Sequence, residues 1–121
     1  MEFTQGVRFD SLGLTEEVQR ALKKKNIEES TPVQAGCIPP MREWKDVIAK
    51  APTGTGKTFA FGIPIIEHIE PGSEETEAVI LAPTRELAMQ ITAELRDLAV
   101  FMSGIRVVCL YGLSLIHISE P

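Results

Sequence analysis

Ala51-Pro52-Thr53-Gly54-Thr55-Gly56-Lys57-Thr58 is the stretch on which the reading of this 121-residue chain turns. It follows a short apolar run, Asp46-Val47-Ile48-Ala49-Lys50, and leads into the apolar-rich segment Lys57 to Glu70. The closely spaced glycines let the backbone bend sharply, so the region reads as strand, glycine-rich loop, helix. In that setting the loop's N–H groups converge on phosphate oxygens, and the helix N-terminus adds positive partial charge. Lys57 would neutralise β/γ-phosphate charge and the Thr58 hydroxyl would ligate Mg²⁺. Ala51 stands where the general pattern has glycine, so the loop is a variant. Thr53 and Thr55 are either contacts or plain loop residues. A bare turn between strand and helix is the competing reading, but the lysine-threonine pair in this context favours nucleotide binding.

Working outward toward the C-terminus, Lys57 to Glu70 predicts a helix with Phe61, Ile65, Ile66 and Ile69 facing inward and Pro64 bending it or ending its first turns. After the polar loop Pro71-Gly72-Ser73-Glu74-Glu75 comes a second apolar run, Ala78-Val79-Ile80-Leu81-Ala82. Leu87, Ile91, Leu95, Leu98 and Met102 then recur at helical spacing, and Ser103-Gly104 closes that helix. Ile105 to Tyr111 reads as a third strand. Strand, helix, strand, helix, strand predicts a parallel sheet with right-handed crossovers and flanking helices, an α/β fold. Pro83-Thr84-Arg85-Glu86-Leu87-Ala88 lies between the second strand and its helix. Thr84 can cap that helix, and Arg85 beside the free N–H groups offers forked donors to a phosphate. A capped helix with one surface arginine explains the same residues. Their place at the carboxyl end of a strand strengthens the binding reading, because open α/β sheets bind ligands there.

Toward the N-terminus, Leu14, Val18 and Leu22 mark one face of a short helix with Thr15 as N-cap and Glu16 and Glu17 in its first turn. Lys23, Lys24 and Lys25 end it, either as cations complementing the helix dipole or as a nucleic-acid patch. Asn26 suits a left-handed cap. Thr31-Pro32 opens a second helix that runs to Pro39-Pro40. Gln34 carries an amide donor and acceptor, the pair that matches adenine's N6 donor and N7 acceptor, although an ordinary helix-surface glutamine looks the same.

Composition bounds the classes available. Hydrophobic residues at 44% and charged residues at 24% are ordinary globular values. Twelve basic against 17 acidic residues give a net charge of -5. Nucleic acid gripped mainly by bulk positive charge is therefore excluded, and any such contact must be local. Cys37 and Cys109 lie 72 positions apart without metal-ligand spacing and read as buried free thiols. No apolar run approaches the ~20 residues of a membrane helix, and Met1 to Asp10 lack an apolar core. The expectation is a soluble, cytoplasmic protein.

Together these stretches resemble the DEAD-box family of ATP-dependent RNA helicases. Ala51 to Thr58 is similar to the family's phosphate-loop motif, which has alanine at its first position. Pro83 to Ala88 resembles its motif Ia, which implies RNA-backbone contact for Pro83, Thr84, Arg85 and Glu86. Thr31-Pro32-Val33-Gln34 resembles the Q motif, implying that Gln34 reads the adenine edge. Gln34 precedes Lys57 by 23 residues, a spacing similar to the family's, and Phe9 precedes Asn26 by 17, where the family keeps an isolated aromatic. The resemblance covers Phe9 to Gly112 and implies a RecA-like domain that binds ATP, Mg²⁺ and RNA, the RNA as single strand or short duplex without preference for DNA. It assigns residues 1–35 to the Q-motif region and 36–112 to the N-terminal part of the ATP-binding domain.

Several positions depart from the pattern. Asn26 and Ile27 replace a usual glycine and aromatic, so adenine packing falls to the aliphatic Ile27. Ser30 replaces a usual proline, and Trp44 stands where glycine is common. Residues 113–121 match nothing expected after Tyr111-Gly112 and read as a frame shift, a chimeric junction or a misassembled read; His117 and His68 receive no role. The acidic motif, the Ser-Ala-Thr motif and the second domain do not occur in these residues. The expectation is a fragment of a helicase unable to hydrolyse ATP alone. A small P-loop binding module and a non-functional truncation are the alternatives.

Overall fold

Four helices carry the structure, a computed structural model that describes residues 7–50, 56–110 and 118–119. A 3-10 turn at Phe9–Ser11 precedes α1 (Glu16–Lys24), α2 (Pro32–Arg42), α3 (Lys57–His68) and α4 (Arg85–Leu98). β1 (Cys109–Leu110) pairs antiparallel with β2 (Ile118–Ser119). Residues 1–6, 51–55, 111–117 and 120–121 lie outside the described residues.

The helix starts follow the sequence signals. Thr31 accepts the Gln34 N–H, and Gln34 Oε1 accepts the Thr31 N–H at 2.8 Å, a capping box with Pro32 at the first helical position. Thr84 Oγ1 accepts the Leu87 N–H at 3.1 Å and caps α4. Thr15 caps α1 by position only; its backbone N–H donates to Glu67 Oε2 at 2.7 Å. Asn26 adopts the expected left-handed conformation at φ 59°.

Two expectations about helices need correction. α2 does not stop at Pro39-Pro40 but continues to Arg42. The missing proline N–H groups deprive the Ala35 and Gly36 carbonyls of helical donors, and both residues are half-exposed, so water reaches them. In α3 the buried face is Phe59, Ala60, Gly62, Ile63, Pro64 and Ile66, whereas Phe61, Ile65 and Ile69 are half-buried. A helix apolar on nearly all sides does not reveal its inward face by periodicity. Pro64 is accommodated within α3.

The core joins Phe9, Leu14, Val18 and Leu22 to Ile38, Phe59, Ile63, Ile66, Leu95 and Leu98. A smaller cluster of Val33, Cys37 and Ala60 lies between α2 and α3. The expected lysine-rich end of α1 is tied to α4, with Lys25 Nζ 2.7 Å from Asp97 and the Arg20 guanidinium 4.3 Å from the Phe101 ring centroid.

The three runs expected to build a parallel sheet form no parallel ladder among the described residues. Their burial alternates along each run. Val47, Ala49, Ile80, Ala82, Ile105, Val107 and Cys109 turn inward, while Ile48, Val79, Leu81 and Leu110 are exposed. Parallel strands require a cover on both faces. Here helices pack one face only, so ordering a ladder would gain half of the usual burial.

Candidate functional site

Gln34 and Gly56 meet directly. Gln34 is 3% exposed, and its Nε2 donates to the Gly56 carbonyl at 3.0 Å. Gly56 is the N-cap of α3 in the left-handed region, φ 80° and ψ 31°. A Cβ there would overlap Gln34 Nε2 and approach Thr31 Cγ2 to 3.4 Å. Glycine is thus required both by conformation and by close approach. Lys57, the first helical residue, is exposed, and Thr58 beside it is half-buried. Ala51, Pro52, Thr53, Gly54 and Thr55 lie outside the described residues.

Gly56, Lys57 and Thr58 open onto a groove of about 930 Å³ whose far wall includes Leu87, Gln90 and Glu94 of α4. Phe61, Ile65, Val79 to Leu81 and Ile91 make much of its lining apolar. At the α3 end of the groove Lys57, Thr58 and the helix N-terminus coincide, and Lys25 also lines it. A smaller cavity of about 170 Å³ between α3, α4 and the runs 78–82 and 105–110 contains neither Lys57 nor Thr58 and is a packing gap. Pro83, Thr84, Arg85 and Glu86 are all exposed at the start of α4.

The remaining predicted residues occupy less direct positions. Phe9 is 3% exposed within the main core, and its N–H donates to the Glu28 carbonyl at 3.0 Å. Ile27 is half-buried and packs against the same cluster. Ser30, which replaces a proline of the resembled pattern, is buried; its Oγ accepts the Val7 N–H at 2.9 Å and donates to the Val7 carbonyl at 2.8 Å. This pins the N-terminal segment beside the start of α2. Sequence reading missed that role, and it missed the contact of Arg42 with Glu67, whose side chain is 8% exposed.

The family profile described as DEAD/DEAH box helicase matches residues 31–119. The chain belongs to the DEAD/DEAH box helicase family. It is 46% identical over 104 residues to the DEAD-box ATP-dependent RNA helicase CshA of Geobacillus kaustophilus, covering 86% of this chain and 22% of that protein. It is 40% identical over 104 residues to the ATP-dependent RNA helicase DeaD of Escherichia coli K12, covering 86% of this chain and 16% of DeaD. A crystal structure of a DEAD box protein from the hyperthermophile Methanococcus jannaschii superposes with a TM-score of 0.70 at 38% identity, over 75% of this chain and 25% of that one. The chain spans about a fifth of the length of these curated relatives. Its fold class is the RecA-like α/β domain of the DEAD-box helicases, and the described residues supply chiefly its helices. No helix among the described residues is long and apolar enough to cross a membrane.

Proposed function

We propose that this chain is the Q-motif and phosphate-loop portion of an ATP-dependent RNA helicase of the DEAD-box type, acting in the cytoplasm. The observation that carries the reading is the Gln34–Gly56 contact, which brings an amide suited to adenine against the residue that precedes Lys57. Residues 1–35 would form the adenine side and 36–112 the phosphate and RNA side. Lys57 would meet β/γ-phosphate oxygens, Thr58 would ligate Mg²⁺, and Ala51 to Gly56 would offer backbone N–H groups. The bound ion would supply charge neutralisation at the phosphates. Gln34 retains a second amide proton and a second carbonyl lone pair, which are the groups adenine needs. Ile27 would form the aliphatic wall of the base pocket, and Phe9 would brace it from the core. Pro83 to Glu86 would touch the backbone of single-stranded RNA or a short duplex, without preference for DNA.

Titration with a fluorescent ADP analogue tests the reading. The chain is expected to bind it, and Lys57→Ala to abolish binding; equal affinities would remove the phosphate loop from the account. Gln34→Ala is expected to narrow the preference for ADP over GDP, and an unchanged ratio would remove the glutamine's role. Hydrolysis needs an oriented water and donors to the departing charge. In the resembled family those groups come from an acidic motif and a second domain, neither of which occurs within residues 1–121. The 121-residue chain alone is therefore expected to show no RNA-stimulated phosphate release, and turnover that disappears with Lys57→Ala would contradict this.

A further inference from the structure

α2 and α3 are joined near both ends of their contact. At the start, Gln34 Nε2 donates to the Gly56 carbonyl at 3.0 Å. At the far end, Arg42 Nε lies 3.3 Å from Glu67 Oε1. Arg42 Nη1 and Nη2 also donate to the carbonyls of Leu12 and Gly13, each at 2.8 Å. Glu67 Oε2 accepts the Thr15 N–H at 2.7 Å. One guanidinium and one carboxylate thus tie the last turn of α2, the last turn of α3 and the loop entering α1.

Glu67 is nearly buried, but the Arg42 side chain is 37% exposed, so solvent screens the pair and it adds little net stability. It does fix geometry: the two Nη donors seat the planar guanidinium on the Leu12 and Gly13 carbonyls, and its Nε then faces Glu67 Oε1, which accepts no hydrogen bond. Eight residues at 1.5 Å each place Arg42 roughly 12 Å along α2 from Gln34. Over that lever, freedom at the Arg42 end becomes angular freedom between the helix presenting Gln34 and the helix beginning at Lys57. A nucleoside diphosphate has to meet both helices at once, whereas pyrophosphate needs only the loop and the start of α3.

We propose that Arg42 and Glu67 are positioning residues for nucleotide binding, setting the angle between α2 and α3 so that base and phosphates are met together. The proposal rests on the phosphate-loop reading above. Its test is titration of the full chain with a fluorescent ADP analogue, competed by unlabelled ADP and by pyrophosphate, for wild type, Arg42→Met, Arg42→Lys and Glu67→Gln. Melting curves set a temperature at which every variant is folded. Arg42→Met and Glu67→Gln are expected to weaken ADP about 5- to 20-fold while pyrophosphate stays within about twofold, a coupling of ordinary size. Arg42→Lys keeps the charge beside Glu67 without the fork and should fall between. If Arg42→Met does not fold, Arg42→Lys and Glu67→Gln decide. Parallel loss of ADP and pyrophosphate would mark a merely structural pair and overturn the proposal, as would unchanged ADP affinity. Lys57→Ala in the same assay separates the two readings. Binding that survives it overturns the phosphate-loop reading and this proposal together; binding that needs Lys57 but ignores Arg42 and Glu67 overturns this proposal alone.

Discussion

Trp44 holds a backbone conformation that side chains avoid. Its φ is 60°, in the left-handed region, and it is 59% exposed. Its ring meets His68 edge to face, with centroids 4.1 Å apart. The left-handed conformation costs a residue with a Cβ roughly 1–2 kcal/mol, and an aromatic pair returns about 0.5–1.5 kcal/mol. The two effects nearly cancel. Trp44→Gly removes both and should leave stability within about 0.5 kcal/mol of wild type. Trp44→Ala keeps the strain and loses the contact, so it should cost about 1 kcal/mol. Denaturant melts of the three forms check the order, and an alanine variant as stable as the glycine variant would refute the strain argument. Gly56 offers a second comparison. Alanine there meets the same conformational cost and also displaces Gln34, whereas at Gly72, φ 83°, an added Cβ meets nothing within 4 Å. Gly56→Ala should therefore lose more stability than Gly72→Ala, and only Gly56→Ala should impair ADP binding.

α2 shows how an element combines legible and illegible parts. Its start was legible, because Thr31, Pro32 and Gln34 form a capping box from neighbouring residues. Its end was not, since the sequence marks a break at Pro39 while half-exposed carbonyls tolerate the missing donors. The same division runs through the site. Lys57 and Thr58 follow from local spacing, whereas Gln34 touching Gly56 and Arg42 facing Glu67 depend on how two helices dock. No local pattern records a contact between residues 25 positions apart. Cys37 reports on that docking. It is buried between α2 and α3, and loss of water pushes its thiol pKa up. Raising the pH past the usual thiol value of about 8.5 ionises the unfolded chain before the folded one. Folded stability should therefore decline above that pH, and Cys37→Ala should lessen the decline. Thiol labelling of the folded chain should stay slow at pH 8 and become fast in urea; rapid labelling of Cys37 in the folded state would show that the α2–α3 contact opens.

At the scale of the whole molecule, burial is one-sided. α3 and α4 cover Ile80, Ala82, Ile105 and Val107, while Ile48, Val79 and Leu81 stand 81%, 77% and 90% exposed. The apolar runs read as strands of a parallel sheet, but among the described residues they form no parallel ladder and leave one face exposed. What the runs do not encode is whether a second cover is present. Val79 and Leu81 are exposed while Ile80 and Ala82 are half-buried, so the two side chains share the exposed side. Contiguous exposed apolar surface next to unladdered backbone favours association of copies with one another. The net charge of -5 opposes association only over distances of about a Debye length, roughly 8 Å at physiological salt. The chain should therefore self-associate as concentration or salt rises. Val79→Thr is near-isosteric and Leu81→Thr shortens the side chain, and both add a hydroxyl to the exposed side. Because neither side chain lies in the core, the double variant should melt within about 1 kcal/mol of wild type, as surface substitutions do. Light scattering across a dilution series should show the variant monomeric where wild type is not. Equal association of the two forms would show that the exposed face is not what brings copies together.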